Sequence, residues 1–309
     1  MGNRPRVTVL GSLNMDISVT VPRLPEPGAT VLGSAARFTP GGKGANQAVA
    51  AARLGGAVSM AGCVGGDDFG RQLLTGLRAE GVDTGGVRTV PGVPTGLAMI
   101  SVDAAGENMI TVAPGANHAV GDEQAAAASR AGGDILVVCA EIPLAAIRAA
   151  TARRTRHILN LAPAPPDAAA IVAGGVDWLV VNEAEAAAVL GRPVRGLADA
   201  ARAAAALVQA GARHAVVTAG ARGAALAATH ATGTDTIEAF KVEAVDTVGA
   251  GDAFVGALAV ALAAGVPAAE AVRAAAAAGA TAATRAGAQA GMPRPADILA
   301  TTGVNWPVG

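Results

Sequence analysis

The feature that most constrains this chain is a recurring pair of segments, a short and largely apolar run followed by an alanine-rich stretch. Such runs occupy residues 7–10, 135–139, 178–181 and 215–218. A run of this length is typical of a strand in a parallel sheet that is covered on both faces. The segment that follows it has the composition of a helix. Strands that alternate with helices predict an α/β protein built around a mainly parallel sheet.

Polar residues lie where the predicted strands end, and they are candidates for a ligand site. They are Asn14, Asp16, Glu141, Asn160, Asn182, Glu185 and Thr218. Ligands of open α/β sheets bind outside the carboxyl ends of the strands, and a carboxylate such as Asp16 can accept hydrogen bonds from two hydroxyls of a polyol. The alternatives are a polar turn at Asn14 and Asp16, a plain helix start at Glu141 and a helix cap at Asn182.

A glycine-rich turn precedes a long apolar helix late in the sequence. Residues 253–264 are almost entirely alanine, valine, leucine and phenylalanine, and Gly249, Ala250, Gly251 and Asp252 come directly before them. The unpaired amides and the dipole of a helix N-terminus suit an anion such as a phosphoryl group in transfer. A carboxylate there could accept the proton of an attacking hydroxyl, and the simpler alternative for Asp252 is an N-cap or first-turn acid.

A second glycine-rich loop, residues 40–47, also opens an alanine-rich helix. Its pattern is not that of a P-loop, because Gly44 rather than serine or threonine follows Lys43, and it does not match the dinucleotide fingerprint. Gly42 lets the backbone approach a ligand closely, and Lys43 and Asn46 offer donors to hydroxyls or phosphate. A glycine-rich turn with a solvated lysine is the alternative interpretation.

Two half-polar segments, residues 17–39 and 96–113, interrupt the α/β pattern. The first resumes an extended pattern at residues 30–33 after three prolines, and the second predicts a hairpin around residues 103–106. We expect these segments to form a small β lid, whose apolar face must be covered by substrate, by the core or by another subunit. The core would then consist of residues 1–16, 40–95 and 114–309.

Charge and composition argue against several classes of function. The formal net charge of −1 and the lack of a basic run disfavour nucleic-acid binding. No uninterrupted lipid-compatible stretch of about 20 residues is present, so no membrane span is predicted. Cys63 and Cys139 have no ligand-like spacing to each other or to the four histidines, and buried free thiols fit a cytoplasmic protein.

Taken together, these motifs have the order and spacing of the PfkB family of carbohydrate kinases, which essentially the whole chain resembles. The segments that carry the resemblance are residues 14–16, 41–48 (GGKGANQA), 106–108, 182–185, 218–223 and 246–254 (DTVGAGDAF). The resemblance implies a ribokinase-like three-layer α/β/α sandwich with a small β lid, or clasp, that often pairs two subunits as a homodimer. It also implies phosphorylation of a small sugar by Mg²⁺-ATP, with D-ribose and its 5-hydroxyl as the nearest match.

The resemblance also implies a role for individual residues. Asp252 matches the catalytic base, and the matching anion hole consists of Gly249, Ala250 and Gly251. The sugar-contacting positions are matched by Asn14, Asp16, Gly42, Lys43, Asn46, Glu141 and Asp252. The nucleotide positions are matched by Asn182, Thr218, Gly220, Gly223 and Gly251. A monovalent cation, K⁺ or similar, is implied at Asp246, Val248, Ala282, Arg285, Gly287 and Gly291. Glu185 matches a ligand of Mg²⁺ through water.

Two departures from the family pattern affect these expectations. Ala276 stands where relatives often place a polar side chain near adenine, and Gly291 lies where a serine hydroxyl can complete the cation shell. Other acceptors stay open, namely deoxyribose, fructose, a keto-deoxy sugar acid or a nucleoside, although four phenylalanines and no tyrosine supply a nucleobase slot poorly. A sugar-binding protein without turnover is the alternative from a different class, and the presence of Asp252 together with Gly249 and Gly251 argues against it.

Overall fold

A computed structural model describes residues 4–153 and 156–308 of the chain. The strands in this part are β1 (Arg6–Leu10), β2 (Asn14–Thr20), β3 (Arg37–Gly41), β4 (Ala57–Gly65), β5 (Asp83–Val90), β6 (Gly96–Val102), β7 (Asn108–Ala113), β8 (Ile135–Cys139), β9 (His157–Asn160), β10 (Val176–Asn182), β11 (Ala212–Thr218), β12 (Ala224–Ala228) and β13 (Thr234–Ile237). The helices are α1 (Lys43–Arg53), α2 (Asp68–Ala79), α3 (Asp122–Arg130), α4 (Leu144–Arg153), α5 (Ala168–Ala173), α6 (Glu183–Leu190), α7 (Gly196–Gln209), α8 (Ala250–Ala263), α9 (Ala268–Ala283), α10 (Ala288–Gly291) and α11 (Pro295–Thr302).

Nine strands form one large sheet in the order β13-β12-β11-β10-β9-β8-β1-β4-β5. The pairs from β11 to β5 are parallel, while β12 and β13 join the edge as antiparallel strands. The predicted mainly parallel sheet is therefore confirmed. The parallel strands end at one common edge, and the predicted site residues on β9, β10 and β11 lie at that edge.

Helices cover both faces of this sheet. Val180 and Val216 belong to one core with α1, α2, α8, α9 and α11, whereas Val181 and Val217 belong to a second core with α3 to α7. Neighbouring residues of a strand point to opposite faces, so this division shows strands that are buried on two sides. The three-layer α/β/α arrangement is confirmed, and it explains why the strands read as apolar runs rather than as alternating patterns.

A separate sheet has the strand order β3-β2-β6-β7. The hairpin predicted around residues 103–106 is present as the antiparallel pair β6 and β7, and β2 pairs with β6 in parallel. The extended pattern expected at residues 30–33 is wrong as a strand, since the strand that follows the prolines is Arg37–Gly41. Several large apolar side chains of this region are exposed, namely Leu32, Phe38, Met99, Met109, Ile110 and Val112.

Two close approaches position the start of α1. A Cβ on Gly42 would lie 2.6 Å from the backbone nitrogen of Asn14, and Gly42 has a φ of 88°, where glycine is favoured. Further along, a Cβ on Gly256 of α8 would lie 2.7 Å from the Gln47 carbonyl oxygen. Because the two backbones nearly touch, the first turns of α1 and α8 open side by side at the carboxyl edge of the sheet.

No helix in the described part of the chain combines the length and the hydrophobicity that crossing a lipid bilayer would require.

Candidate active site

Asp252 lies in the first turn of α8 and is 6% exposed. Its Oδ2 accepts a hydrogen bond of 2.9 Å from Asn46 Nδ2, and its Oδ1 accepts one of 2.9 Å from Gln47 Nε2. Gly249 directly precedes the helix with a left-handed φ of 80°, so the chain turns sharply into the helix. Asp252 is thus a first-turn acid, and it is also held against α1 by two amides of the other glycine-rich loop.

The turn in front of Asp252 is packed on one side and open on the other. A Cβ on Gly249 would lie 3.0 Å from Ala288 Cα, whereas a Cβ on Gly251 would meet nothing within 4 Å. Gly251 is exposed and Ala250 is half-buried. An N-terminus of a 14-residue helix with free space before it can accept an anion on its amides.

Asp16 lies on β2 with its carboxylate directly over the backbone of Gly41, where there is no room for a side chain at position 41. Burial, followed by the nearby carboxylates of Glu141 and Asp252, raises the pKa of Asp16 to about 7 against the opposing effect of Lys43. A half-buried acid among other acids can accept hydrogen bonds from hydroxyl donors, because such bonds would favour its ionised form.

Lys43 is the cation of this acidic cluster. The pKa of Lys43 is raised, first by Asp252 and also by Glu141 and Glu185, against the lowering effect of burial. Lys43 therefore stays charged in the half-buried cleft. Lys43 shares one electrostatic environment with Asp16, Glu141, Glu185 and Asp252, because each of these carboxylates acts on Lys43 or on another of them.

Two polar contacts hold the remaining candidates on this side, one of them buried and the other partly buried. Glu141 Oε2 accepts a hydrogen bond of 2.6 Å from Ser12 Oγ, and Asn14 Oδ1 accepts one of 2.7 Å from Asn117 Nδ2. Asn117 also bonds both backbone groups of Leu13. Ser12 and Asn117 were missed by the sequence reasoning, because neither lies in a motif that points to a ligand.

The candidates on the nucleotide side follow two adjacent strands. Asn182 ends β10 and Thr218 ends β11, and the two residues are register partners. Asn182 caps α6 by accepting from Glu185 N at 2.9 Å, while Glu185 Oε2 accepts from Asn182 N at 2.8 Å. The helix-cap interpretation is thus confirmed for this pair. Burial also raises the pKa of Glu185, and Asp252 adds to the effect.

A tight turn after β11 contains the two glycines of the 218–223 motif. Gly220 has a φ of 54° and Gly223 one of 111°, and a Cβ on Gly223 would lie 2.0 Å from the Ile237 carbonyl oxygen. The Ala219 amide donates to the Gly223 carbonyl at 2.7 Å. The turn therefore keeps its backbone close to β13 and presents no side chain at either glycine.

The residues assigned to a cation come together on the far side of Gly249. Asp246 bridges two loops, because its Oδ1 accepts from Val248 N at 3.0 Å and its Oδ2 accepts from Gly287 N at 2.8 Å. The carbonyl oxygens of Ala282 and Arg285 each lie 3.4 Å from the point where a Cβ of Gly291 would be. The Arg285 side chain itself pairs with Asp297, so Arg285 offers the site only its backbone.

The geometry separates the candidates into groups. One cluster contains Asp16, Lys43, Glu141, Glu185 and Asp252, and the cation residues lie behind the glycine turn that precedes Asp252. Gln47 and Asn160 also belong to the cluster, since Gln47 Nε2 donates to Asn160 Oδ1 at 2.9 Å. The sequence showed both as polar residues, but their contact joins positions that are 113 residues apart.

The family model described as "pfkB family carbohydrate kinase" matches residues 4–295. Among curated proteins, the chain is 35% identical to a ribokinase of Haemophilus influenzae over 84% of the chain and 86% of that protein. It is 37% identical to a ribokinase of Bacillus subtilis over 93% and 96%. A deoxyribokinase of Salmonella typhi is 36% identical over 82% of the chain and 84% of that protein.

Solved structures give the same result. A ribokinase of Thermotoga maritima superposes with a TM-score of 0.86 at 33% identity, covering 97% of this chain and 100% of that one. A ribokinase of Arabidopsis thaliana in complex with ribose and ATP has a TM-score of 0.84 at 29% identity, covering 98% and 100%. Phosphofructokinase-2 of Escherichia coli in complex with potassium has a TM-score of 0.78 at 27% identity, covering 97% and 98%.

Proposed function

The chain belongs to the pfkB family of carbohydrate kinases, and from this we propose that it transfers the γ-phosphoryl group of ATP to the 5-hydroxyl of D-ribose. The observation that carries the proposal is the position of Asp252. Its carboxylate is held at the N-terminus of a long helix, beside an open glycine turn and among groups that suit a polyol. The product is ribose 5-phosphate.

In the proposed reaction, Asp252 accepts the proton of the sugar hydroxyl while that hydroxyl attacks the γ-phosphorus in line. The amides of Gly249, Ala250 and Gly251 stabilise the negative charge that develops on the transferring group, and Lys43 adds a positive charge at the same place. Phosphoryl transfer depends on the positioning of the reactants and on charge stabilisation more than on covalent chemistry. These groups are of the types that the reaction needs.

The sugar would be held by Asn14, Asp16, Gly42, Lys43, Asn46, Glu141 and Asp252. Asn46 supports this assignment with an unused acceptor. Its Nδ2 donates to Asp252, while its Oδ1 is buried and has no hydrogen-bond partner in the described structure. An unpaired buried acceptor costs free energy, and a sugar hydroxyl would remove that cost on binding. Asp16 would accept from two neighbouring hydroxyls.

The nucleotide would lie against Asn182, Thr218, Gly220, Gly223 and Gly251, with Ala276 near the adenine. The two turn glycines let a phosphate or ribose approach the backbone, because no side chain stands in the way. Mg²⁺ would arrive with the phosphates and neutralise part of their charge. The carboxylate of Glu185 is the hard oxygen donor on this side, and it would hold the ion through water.

A monovalent cation such as K⁺ would be held by Asp246 and by the backbone carbonyls of Val248, Ala282, Arg285 and Gly287. At Gly291, a water would take the place of the side-chain hydroxyl that this position lacks. The Ala282 and Arg285 carbonyl oxygens each lie 3.4 Å from the point where a Cβ of Gly291 would be, so both oxygens face the space beside Gly291. Oxygen donors of this kind suit a hard cation. The cation would support the loop on which Gly249 packs.

The proposal includes a homodimer in the cytoplasm. The hairpin of β6 and β7 exposes Ile110 and Val112, whose exposed fractions are 51% and 46%. A second copy of the lid would cover this apolar surface. Cys63 and Cys139 are both buried and free, which fits a reducing compartment.

A second candidate is phosphorylation of deoxyribose. The observation in its favour is the 36% identity to a deoxyribokinase, which is similar to the identity to the ribokinases. The two sugars differ in one hydroxyl. A site that hydrogen-bonds that hydroxyl discriminates strongly against the sugar that lacks it, because its own polar groups are then left unpaired. Fructose, a keto-deoxy sugar acid and a nucleoside are weaker alternatives, and a non-catalytic sugar-binding protein is the remote one.

The test is ADP release from Mg²⁺-ATP in the presence of K⁺, with ribose, deoxyribose, fructose, a keto-deoxy sugar acid and adenosine. We expect kcat/KM for ribose to exceed the others by at least about tenfold, or about 1.4 kcal/mol in transition-state binding. Activity on another sugar alone would replace ribose in the proposal. Absence of turnover with every acceptor would favour the sugar-binding protein.

The role of Asp252 is tested by Asp252→Asn. We expect kcat to fall by about 10²- to 10⁴-fold, because the proton acceptor is removed. Ribose affinity, measured by calorimetry, should change far less, since the amide keeps the shape of the carboxylate. Turnover near that of the wild type would remove Asp252 from the role of base.

A further inference from the structure

Gln47 and Asn160 form a buried chain of hydrogen bonds behind Asp252. Gln47 is fully buried and Asn160 is 7% exposed. Asn160 Nδ2 donates to the Val180 carbonyl at 3.2 Å, Gln47 Nε2 donates to Asn160 Oδ1 at 2.9 Å, and the same nitrogen donates to Asp252 Oδ1 at 2.9 Å. The chain therefore runs from the backbone of β10 through β9 and α1 to the first turn of α8.

The direction of these bonds is determined at the Val180 end. A backbone carbonyl can only accept, so Asn160 must present its NH₂ group to it and its oxygen to Gln47. Gln47 must then present its own NH₂ group, because a flipped amide would bring its oxygen against two other acceptors. Gln47 consequently donates to Asp252 and never accepts from it.

Two further facts complete the picture around Asp252. Asn46 donates to the second carboxylate oxygen, so both oxygens of Asp252 act as acceptors towards the protein. Gln47 Oε1 is buried without a hydrogen-bond partner in the described structure. This orientation of the amide therefore carries the free-energy penalty of one unpaired buried acceptor. The arrangement holds although the charged groups coupled to Asp252 include two acids, Asp16 and Glu185, and one base, Lys43.

We propose that Gln47 and Asn160 are positioning residues that hold Asp252 as an ionised acceptor on its protein-facing side, so that a proton can reach it only from the cleft. This inference rests on the proposed function, since it gives Asp252 the role of base. This chain of hydrogen bonds, here called the relay, would exclude a proton from the buried lone pairs of the Asp252 carboxylate. The lone pairs that face the cleft would remain for the hydroxyl of the sugar. A hydrogen bond donated to the carboxylate also favours its charged form over its neutral form.

The test compares the pH dependence of kcat in the wild type and in Gln47→Leu. A hydrogen bond to a charged group contributes enough to move the half-maximum on the acid side upward by about one pH unit. We expect the loss of kcat to be largest on the acid side of the profile and to recover well above the shifted half-maximum, while KM for the sugar changes little. An acid-side half-maximum that does not shift, or an equal loss of kcat at every pH, would overturn the proposal.

Asn160→Leu and the double variant test the relay itself. Asn160→Leu removes the acceptor that orients Gln47. The acid-side half-maximum of its kcat profile should therefore shift in the same direction by a smaller amount. The double variant should be no worse than Gln47→Leu alone, because both changes interrupt one chain. Additive shifts would show two independent effects and contradict a relay. Asn160→Leu also carries the test if Gln47→Leu does not fold.

Gln124→Leu is the matched control. Gln124 is 3% exposed, and its Oε1 accepts from Gly121 N at the start of α3, away from the cluster. The same substitution there should cost stability and leave the acid side of the kcat profile unchanged. A similar shift in this control would mean that the shift in Gln47→Leu reflects loss of a buried glutamine in general.

A measurement without turnover separates this inference from the proposed function. The ¹³C carboxyl resonance of Asp252 can be identified by its absence from Asp252→Asn, and its pH titration can be followed in both proteins. We expect protonation at a higher pH in Gln47→Leu than in the wild type. If no sugar is turned over, the proposed function fails while this titration still decides the relay, and coincident titration curves would overturn it.

Discussion

Asp16 carries an electrostatic conflict that the unliganded protein does not resolve. Burial and the carboxylates of Glu141 and Asp252 raise its pKa from 3.8 to about 7, so the folded protein binds more protons than the unfolded chain between these two values. Stability therefore falls as the pH rises through this window, and the loss is complete above about pH 7. A sugar whose hydroxyls donate to Asp16 would favour the ionised form and reduce the loss.

We predict that Asp16→Asn is more stable than the wild type at pH 8 in the absence of sugar, and that the difference shrinks towards pH 5. Urea unfolding at several pH values measures both effects. Asp134→Asn is the control of opposite sign, because hydrogen bonds from Arg6 hold the pKa of Asp134 below its usual value. A less stable Asp16→Asn at pH 8 would contradict the prediction.

At the scale of elements, the crossing of α1 and α8 aligns the two loops of the site. A Cβ on Gly256 would lie 2.7 Å from both the Gln47 carbonyl oxygen and Ala50 Cβ. Since Asn46 and Gln47 reach Asp252 across this contact, a change in helix separation would also change the geometry around Asp252. The packing of α1 against α8 therefore also determines the position of Asp252.

We predict that Gly256→Ala lowers the free energy of unfolding by about 1–3 kcal/mol, since the added methyl group overpacks the crossing. Gly76→Ala in α2 is the matched control, because a Cβ there meets nothing within 4 Å. Alanine at that position should instead stabilise by roughly 0.5–1 kcal/mol through its higher helix propensity. Equal effects of the two substitutions, measured by urea unfolding, would disprove the close crossing.

The elements could be predicted where one physical cause dominates. Ile135–Cys139 was found with its observed bounds, because a strand buried on both faces needs apolar residues throughout. Residues 30–33 were predicted as extended and are not a strand, since a half-polar pattern fits a loop equally well. The contacts of Gln47, Asn160, Ser12 and Asn117 could not be predicted, because each depends on residues about 100 positions or more away.

At the scale of the whole molecule, the lid would connect the proposed dimer interface to the cleft. Asp16 pairs with Ala98, and Ala98 pairs with Val112, so these residues share one face of the small sheet. Ile110 lies two positions from Val112 and belongs to the same face. The exposed apolar surface therefore continues into the proposed sugar site, and a second copy that covers the surface would also shield the cleft from water.

We predict that Ile110→Asp converts the proposed dimer to a monomer and raises KM for ribose, because the charge would be buried in the proposed interface. Sedimentation equilibrium gives the molar mass, and initial rates give KM. Met109→Asp is the control from the opposite face of the same strand, where the exposed fraction is 48%. A monomeric wild type, or a dimeric Ile110→Asp, would contradict the proposed assembly.

The hydrogen-bond relay behind Asp252 has a consequence for how such a sequence can diverge. Its first member is a main-chain carbonyl, which every amino acid supplies, so side-chain replacement at position 180 leaves the direction of the relay intact. Positions 47 and 160 lack this freedom, because a change in one removes the partner of the other. Over long divergence these two positions should change together or remain as they are, whereas position 180 is limited only by the volume of the core.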